Sequence, residues 1–260
     1  MIRVTFWQAF RSAYAGGLVF VRDCLALALV PVVFELLQHV VEVRIGMYDS
    51  LAAAQAVEDS PMRTAFGLLK VASLTLPAYW VMRFLPRRDA RFAARVESPA
   101  WRLFGVFLAV QIVLEAIDLY LLPKQGWWAL VVFVVGMVEG ALFAAWAVGA
   151  SWGNERMGVQ ASIRLMAPRL IWTLAFQIAV LLPLLVPHYA LGMFAIVGTK
   201  SLLWPTLVID SLLVGVMTPV LIAGSFYPAL RAAQLAGVAL LGPDVEPSRD
   251  DGAERVAASS

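Results

Sequence analysis

Six ionisable residues stand inside stretches of this chain that are otherwise apolar: Glu35, Lys70, Glu115, Asp118, Glu139 and Asp210. On insertion scales a charge at the centre of a bilayer costs about 2.5–3.5 kcal/mol, so residues kept there are expected to serve a purpose. The chemistry open to them is that of carboxylates and an amine held away from water. They could bind a substrate, hold an ion, or pass protons along a pathway. Gln111, Glu115 and Asp118 follow i, i+4, i+7 spacing, which places them on one helical face. Two carboxylates a turn apart repel in a medium that screens poorly, so something must neutralise them. Lys70 lies at similar depth and is expected to reach at least one of Glu115, Asp118 and Asp210. The competing role for all six is structural: Lys70 paired, the carboxyls hydrogen-bonded, and the helices glued together.

His39 lies one turn beyond Glu35 on the same face, and His188 falls at the same side of the membrane. A metal or haem site could be drawn from these residues. Two isolated histidines without ligand-type spacing are read instead as polar interface residues, so no metal and no cofactor is expected. No His-Glu-x-x-His or Walker-type loop is present. Gly149-Ala-Ser151-Trp-Gly153 departs in context from a nucleophile elbow, because it closes an apolar helix. An enzyme is therefore not expected.

The elements that must position these residues are membrane spans. The chain is 61% hydrophobic and 15% charged, with mean hydropathy +0.80. A soluble domain carries about 25% charged residues, so this chain has too little polar surface to coat a water-soluble globule. An all-α polytopic fold follows, because a spanning helix needs about 20 apolar residues and six segments supply them. They are roughly 23–44, 63–84, 103–122, 127–149, 169–187 and 204–227. Arg22 and Asp23 interrupt the first as a signal-peptide core, and it is expected to stay in the mature protein. Trp7, Trp101, Trp127, Trp128, Trp152, Trp172 and Trp204 lie at span ends, as in an aromatic belt.

Basic residues set the orientation. Arg3, Arg11 and Arg22 precede the first span; Arg83, Arg87, Arg88, Arg91, Arg95 and Arg102 follow the second. Arg156, Arg164 and Arg169 follow the fourth, and Arg231, Arg249 and Arg255 follow the sixth. The opposite side has Arg44, Arg63, Lys124 and Lys200. Cytoplasmic loops are the ones enriched in Lys and Arg, so both ends are expected in the cytoplasm. The net charge of +2 gives no reason to expect a nucleic-acid partner.

Two stretches read as amphipathic helices in the interface before spans one and five: Val4–Leu18, with Trp7, Phe10 and Tyr14 at helical spacing, and Asn154–Leu170, with Met157, Ile163, Met166 and Leu170. An offset of 152 relates them, matching Gln8-Ala9 to Gln160-Ala161, Leu29 to Leu181 and Pro31 to Pro183. Gly136, Gly140 and Ala144 form a small-residue stripe suited to close helix packing. Cys24, the single cysteine, excludes an intramolecular disulfide. Residues 1–241 form the transmembrane domain, and 242–260, polar and without apolar periodicity, form a disordered cytoplasmic tail.

The opening FWQAFRSAY, the ASIRLMAPRL before the fifth span and the closing TPVLIAGSFYPALRAAQ resemble the bacterial YciC-like membrane proteins. They are equally similar to the membrane domain attached to some glycerophosphodiester phosphodiesterases. In that group the last span ends in an aromatic followed by Leu-Arg, here Phe226, Tyr227, Leu230 and Arg231. The resemblance implies a non-catalytic six-helix unit; the soluble phosphodiesterase domain is absent, and its activity does not carry over. The expected function is that of a non-enzymatic protein of the bacterial inner membrane, with lipids or other membrane subunits as partners. It would handle envelope lipid or assemble with a membrane complex. The alternative is a small transporter or channel using the intramembrane carboxylates.

Overall fold

The computed structural model describes residues 5–123 and 126–241, and within them every regular element is a helix. Lys124 and the tail 242–260 lie outside the described residues. Helix α1 (Phe6–Asp23) opens with a capping box, in which Thr5 and Gln8 satisfy each other's main-chain N–H groups. It breaks at Cys24, and α2 (Leu25–Arg44) follows with Pro31 inside it. A short α3 (Leu51–Ala56) leads to α4 (Pro61–Thr75) and α5 (Ala78–Arg87). These two form one crossing interrupted at Leu76–Pro77, because Pro77 has no N–H to continue the ladder. After α6 (Ala90–Ala93) come α7 (Ser98–Leu121), α8 (Trp127–Ser151), α9 (Val159–Met166), α10 (Leu170–Val197) and α11 (Leu203–Ala236).

Six of these stretches are long and apolar enough to cross a membrane: α2, α4–α5, α7, α8, α9–α10 and α11. Helix α11 is the axis of the bundle, touching α1, α2, α5, α8, α9 and α10. Its most apolar window is 61% buried, against 11% for α7, so α7 is the peripheral span. Small residues let α11 take this place: Gly215, Ala223, Gly224, Ala229, Ala232 and Ala233 are all buried on it. It ends at Gly237, whose φ of +66° is the left-handed cap that glycine adopts without a Cβ penalty.

The two helices expected at the interface are both present and both docked. Helix α1 turns Ala9, Ala13, Gly16, Gly17 and Phe20 inward and leaves Trp7 and Leu18 outside. Tyr14 Oη donates to the Val180 carbonyl at 2.9 Å, tying α1 to the middle of α10. Helix α9 is held by Ser162, whose Oγ donates to the Leu142 carbonyl at 2.6 Å and accepts from the Trp146 N–H. The offset-152 pattern therefore runs from a short helix into a proline-containing span in both copies. The link is a break at Cys24 in one and a 3-10 turn at Ala167–Arg169 in the other.

Arg83, read from sequence as part of a cationic loop, lies inside α5 and is fully buried. Its guanidinium sits 4.4 Å from the Phe92 ring centre and 5.2 Å from that of Tyr79, 2.9 Å from Glu97 Oε2, and donates to the Ser151 carbonyl. It thus pins the ends of the second and fourth spans to α6. A planar guanidinium can stack and donate at once, whereas an ammonium cannot. Arg83→Lys is expected to lower stability by about 2 kcal/mol, in line with a desolvated cation–π stack. Thermal unfolding in detergent checks this, and an unchanged midpoint refutes it.

Candidate buried acid–histidine site

Helix α2 carries Glu35, Gln38, His39 and Glu42 at i, i+3, i+4 and i+7, and all four are buried. One helical face therefore presents two carboxylates, an imidazole and an amide over about 10 Å of helix length. Against it α4 brings Lys70 and Arg63, α10 brings His188, α11 brings Asp210, and the turn after α2 brings Tyr48.

His39 is the centre. Its Nδ1 lies 2.8 Å from Tyr48 Oη and 3.2 Å from Glu42 Oε2. Its Nε2 lies 3.2 Å from Asp210 Oδ2 and 3.6 Å from Glu35 Oε1. Lys70 Nζ straddles Glu35, 2.8 Å from each carboxylate oxygen, with hydrogen-bond geometry to Oε1. The other oxygen of Asp210 meets His188 Nδ1 at 2.7 Å. Glu42 is the most heavily bonded member: Oε1 accepts from Gln38 at 2.9 Å and from Arg63 Nε at 3.1 Å, and Oε2 accepts from Tyr48 Oη at 2.6 Å. Burial pushes the Tyr48 phenol far above its ordinary pKa, and the neighbouring Glu42 adds to this, so it remains a donor. Lys200, exposed at the rim, donates to the Tyr48 carbonyl.

The charges in this network cancel only if an imidazole takes part. Glu35, Glu42 and Asp210 face only two permanent cations, Lys70 and Arg63, leaving one negative charge when both imidazoles are neutral. Glu35 and Asp210 are each 1% exposed. In surroundings so poor in water an uncompensated charge is costly, so the third positive charge comes from a proton on His39 or His188 or from a bound cation.

The expected partners of Lys70 need correction. It pairs with Glu35 of the first span, rather than with Glu115, Asp118 or Asp210, because α2 is the helix that packs on the Lys70 face of α4. Glu115, Asp118 and Glu139 lie elsewhere, on α7 and α8, where Gln111 faces Glu139 and Glu115 is near both other carboxyls. The six intramembrane ionisable residues thus divide into two groups, and the two histidines join the first. Glu42, Gln38 and Tyr48 were not anticipated, although the i, i+3, i+4, i+7 spacing from Glu35 to Glu42 is visible in the sequence. His188 does not close the fifth span as expected; α10 continues through Pro183 and Pro187 to Val197. Ser151, which has Gly-x-Ser-x-Gly spacing, is buried at the end of α8 with its hydroxyl on the Ala147 carbonyl.

Fold and cluster together describe an all-α bundle with six helices built to cross a membrane and a polar centre enclosed among four of them. Comparison with protein-family models, with curated proteins and with solved structures finds no match for this chain.

Proposed function

We propose that this chain is a small, non-enzymatic cation carrier of the bacterial inner membrane, with both ends in the cytoplasm and the Glu35–His39–Asp210 cluster as its binding centre. The observation that carries this reading is the gathering of three carboxylates and two imidazoles, with only two permanent cations, among apolar helices. Two further features support it. The Lys70 helix belongs to a discontinuous crossing, and carriers often build their sites from such broken helices. Helix α10 carries Pro183 and Pro187 within a turn and a half of His188, which weakens its ladder beside the site. The resemblance to YciC-like proteins supports the envelope setting.

Reconstituted vesicles test the reading. Proton, sodium, potassium, magnesium or manganese gradients applied in turn should move charge or ion with at least one of them. Asp210→Asn should cut that movement about tenfold. Protein-containing vesicles as tight as empty ones to every cation would refute a carrier. Topology is tested separately in a Cys24→Ser background. Cysteines at Asp49 and Thr199 should react with a membrane-impermeant thiol reagent in intact cells, and those at Asp89 and Asn154 should not. Reversed labelling at either pair overturns the orientation.

A second reading, a subunit of a membrane complex, is favoured by α7, which stands at the periphery while carrying Glu115 and Asp118. Native mass spectrometry of the gently solubilised protein would reveal such a subunit.

A further inference from the structure

We propose that the buried cluster is a divalent transition-metal site, with His39 Nε2, Glu35 Oε1 and Asp210 Oδ2 as the three protein ligands. This rests on the reading of the cluster as a cation centre and names the class of cation.

Three observations lead there. First, one donor atom from each of Glu35, His39 and Asp210 lies within 4.8 Å of the other two, and all three residues are buried. His39 Nε2 stands 3.2 Å and 3.6 Å from the two carboxylate oxygens. Ligands at 2.0–2.2 Å from one ion in a tetrahedral arrangement are about 3.3–3.6 Å apart, so a metal fits between them with small adjustments.

Second, the supporting contacts of a metal site are already made. A ligating histidine almost always gives its other ring N–H to a carboxylate or similar acceptor, which fixes the tautomer and aims the free nitrogen. His39 Nδ1 faces Glu42 Oε2 and Tyr48 Oη, and Glu42 is itself anchored by Gln38 and Arg63. Asp210 is oriented in the same way, its second oxygen held by His188. The only two histidines in the chain therefore both serve Asp210, from different helices.

Third, the donor set chooses among cations. Sodium, potassium, magnesium and calcium prefer oxygen, whereas an imidazole nitrogen with two carboxylates suits zinc, iron(II), cobalt(II) or manganese(II). Lys70 already bonds Glu35 Oε1, and both cations fit if the metal takes Oε1 and the ammonium shifts its bond to the unpartnered Oε2, also 2.8 Å away. With both imidazoles neutral, a divalent ion changes the cluster from one excess negative charge to one excess positive charge. Lys70, less buried than Glu35 or Asp210, is the group that can turn out to relieve it.

The test uses the whole chain, purified in detergent and stripped with chelator, and cobalt(II) as probe. One equivalent should bind and give visible d–d absorption, and zinc(II) should displace it. His39→Gln, Glu35→Gln and Asp210→Asn should each abolish the spectrum, and Glu42→Gln should weaken affinity about 10–100-fold. Glu115→Gln, in the other acidic group, should leave binding unchanged. Should the ligand variants fail to fold, X-ray absorption of the wild-type zinc complex decides: one imidazole among oxygen ligands supports the site, and none overturns it. Absence of stoichiometric cobalt binding, or binding equal in wild type and His39→Gln, also overturns it. Cation flux without cobalt binding would sink this site and spare the carrier. Cobalt binding without flux would do the reverse.

Discussion

Lys70→Met destabilises the protein more than the double variant Lys70→Met/Glu35→Gln. The single change leaves Glu35, 1% exposed, with its carboxylate stripped of the ammonium that now touches both oxygens. The ion pair left to it is with His39 Nε2 at 3.6 Å, and that nitrogen also faces Asp210. Removing one partner of a buried pair costs about 3–5 kcal/mol in soluble proteins, most of it from the stranded charge. Glu35→Gln removes that charge while keeping the shape of the side chain, so the double variant should recover a large part of the loss. Lys70→Met/Glu115→Gln should recover nothing, because Glu115 belongs to the α7–α8 group. Thermal unfolding of the four proteins in one detergent decides the matter. Equal midpoints for the single and the Glu35 double would show that the pair is not energetically coupled.

Gly17→Leu is expected to release α1 from the bundle. A Cβ at position 17 would sit 2.8 Å from the Val220 nitrogen and 2.9 Å from its Cα, so the obstruction is main chain and cannot rotate away. Overpacking against adaptable side chains costs about 1–3 kcal/mol, and a helix that meets backbone must move as a whole. The loss would include the Tyr14–Val180 hydrogen bond and the burial of Phe20. Even Gly17→Ala should destabilise, although alanine favours helix by about 1 kcal/mol. Gly136→Ala is the control, since an added Cβ there meets no atom within 4 Å. Limited trypsin digestion should cut faster at Arg11 and Arg22 in Gly17→Leu than in wild type. Unchanged cleavage would place the α1–α11 contact elsewhere.

Much of the fold was legible because a bilayer imposes simple rules on a chain. Runs of about 20 apolar residues must be helical there, since no water satisfies their main-chain groups. The six expected segments correspond to α2, α4–α5, α7, α8, α10 and α11, with ends displaced where proline proved compatible with a continuing helix. Pro187 lies inside α10 and Pro228 inside α11, whereas Pro77 does interrupt its crossing. Part of the candidate site was legible too. Charges are rare in apolar helices, so Glu35, Lys70 and Asp210 stood out singly. Glu42 did not, because it lies near the end of its span beside Arg44, where a charge needs no explanation.

What the sequence determined by itself is the class of element and the residues that the membrane makes conspicuous. Both follow from local quantities: hydropathy over one helix length, and spacing along one helical face. Which conspicuous residues meet is another matter. Glu35 and Lys70 are 35 positions apart, and His39 and Asp210 are 171 apart, on helices whose neighbours are chosen by side-chain shape. In lipid, apolar faces do not drive helices together, so small residues and hydrogen bonds select the contacts. Gly17 against Val220 and Gly215 against Val32 set how closely α1 and α2 approach α11. Those approaches place His39 beside Asp210, while Glu115 stays with Asp118 and Glu139 in the α7–α8 group. The acid–histidine centre is therefore a product of packing, and only the tertiary structure could assemble it.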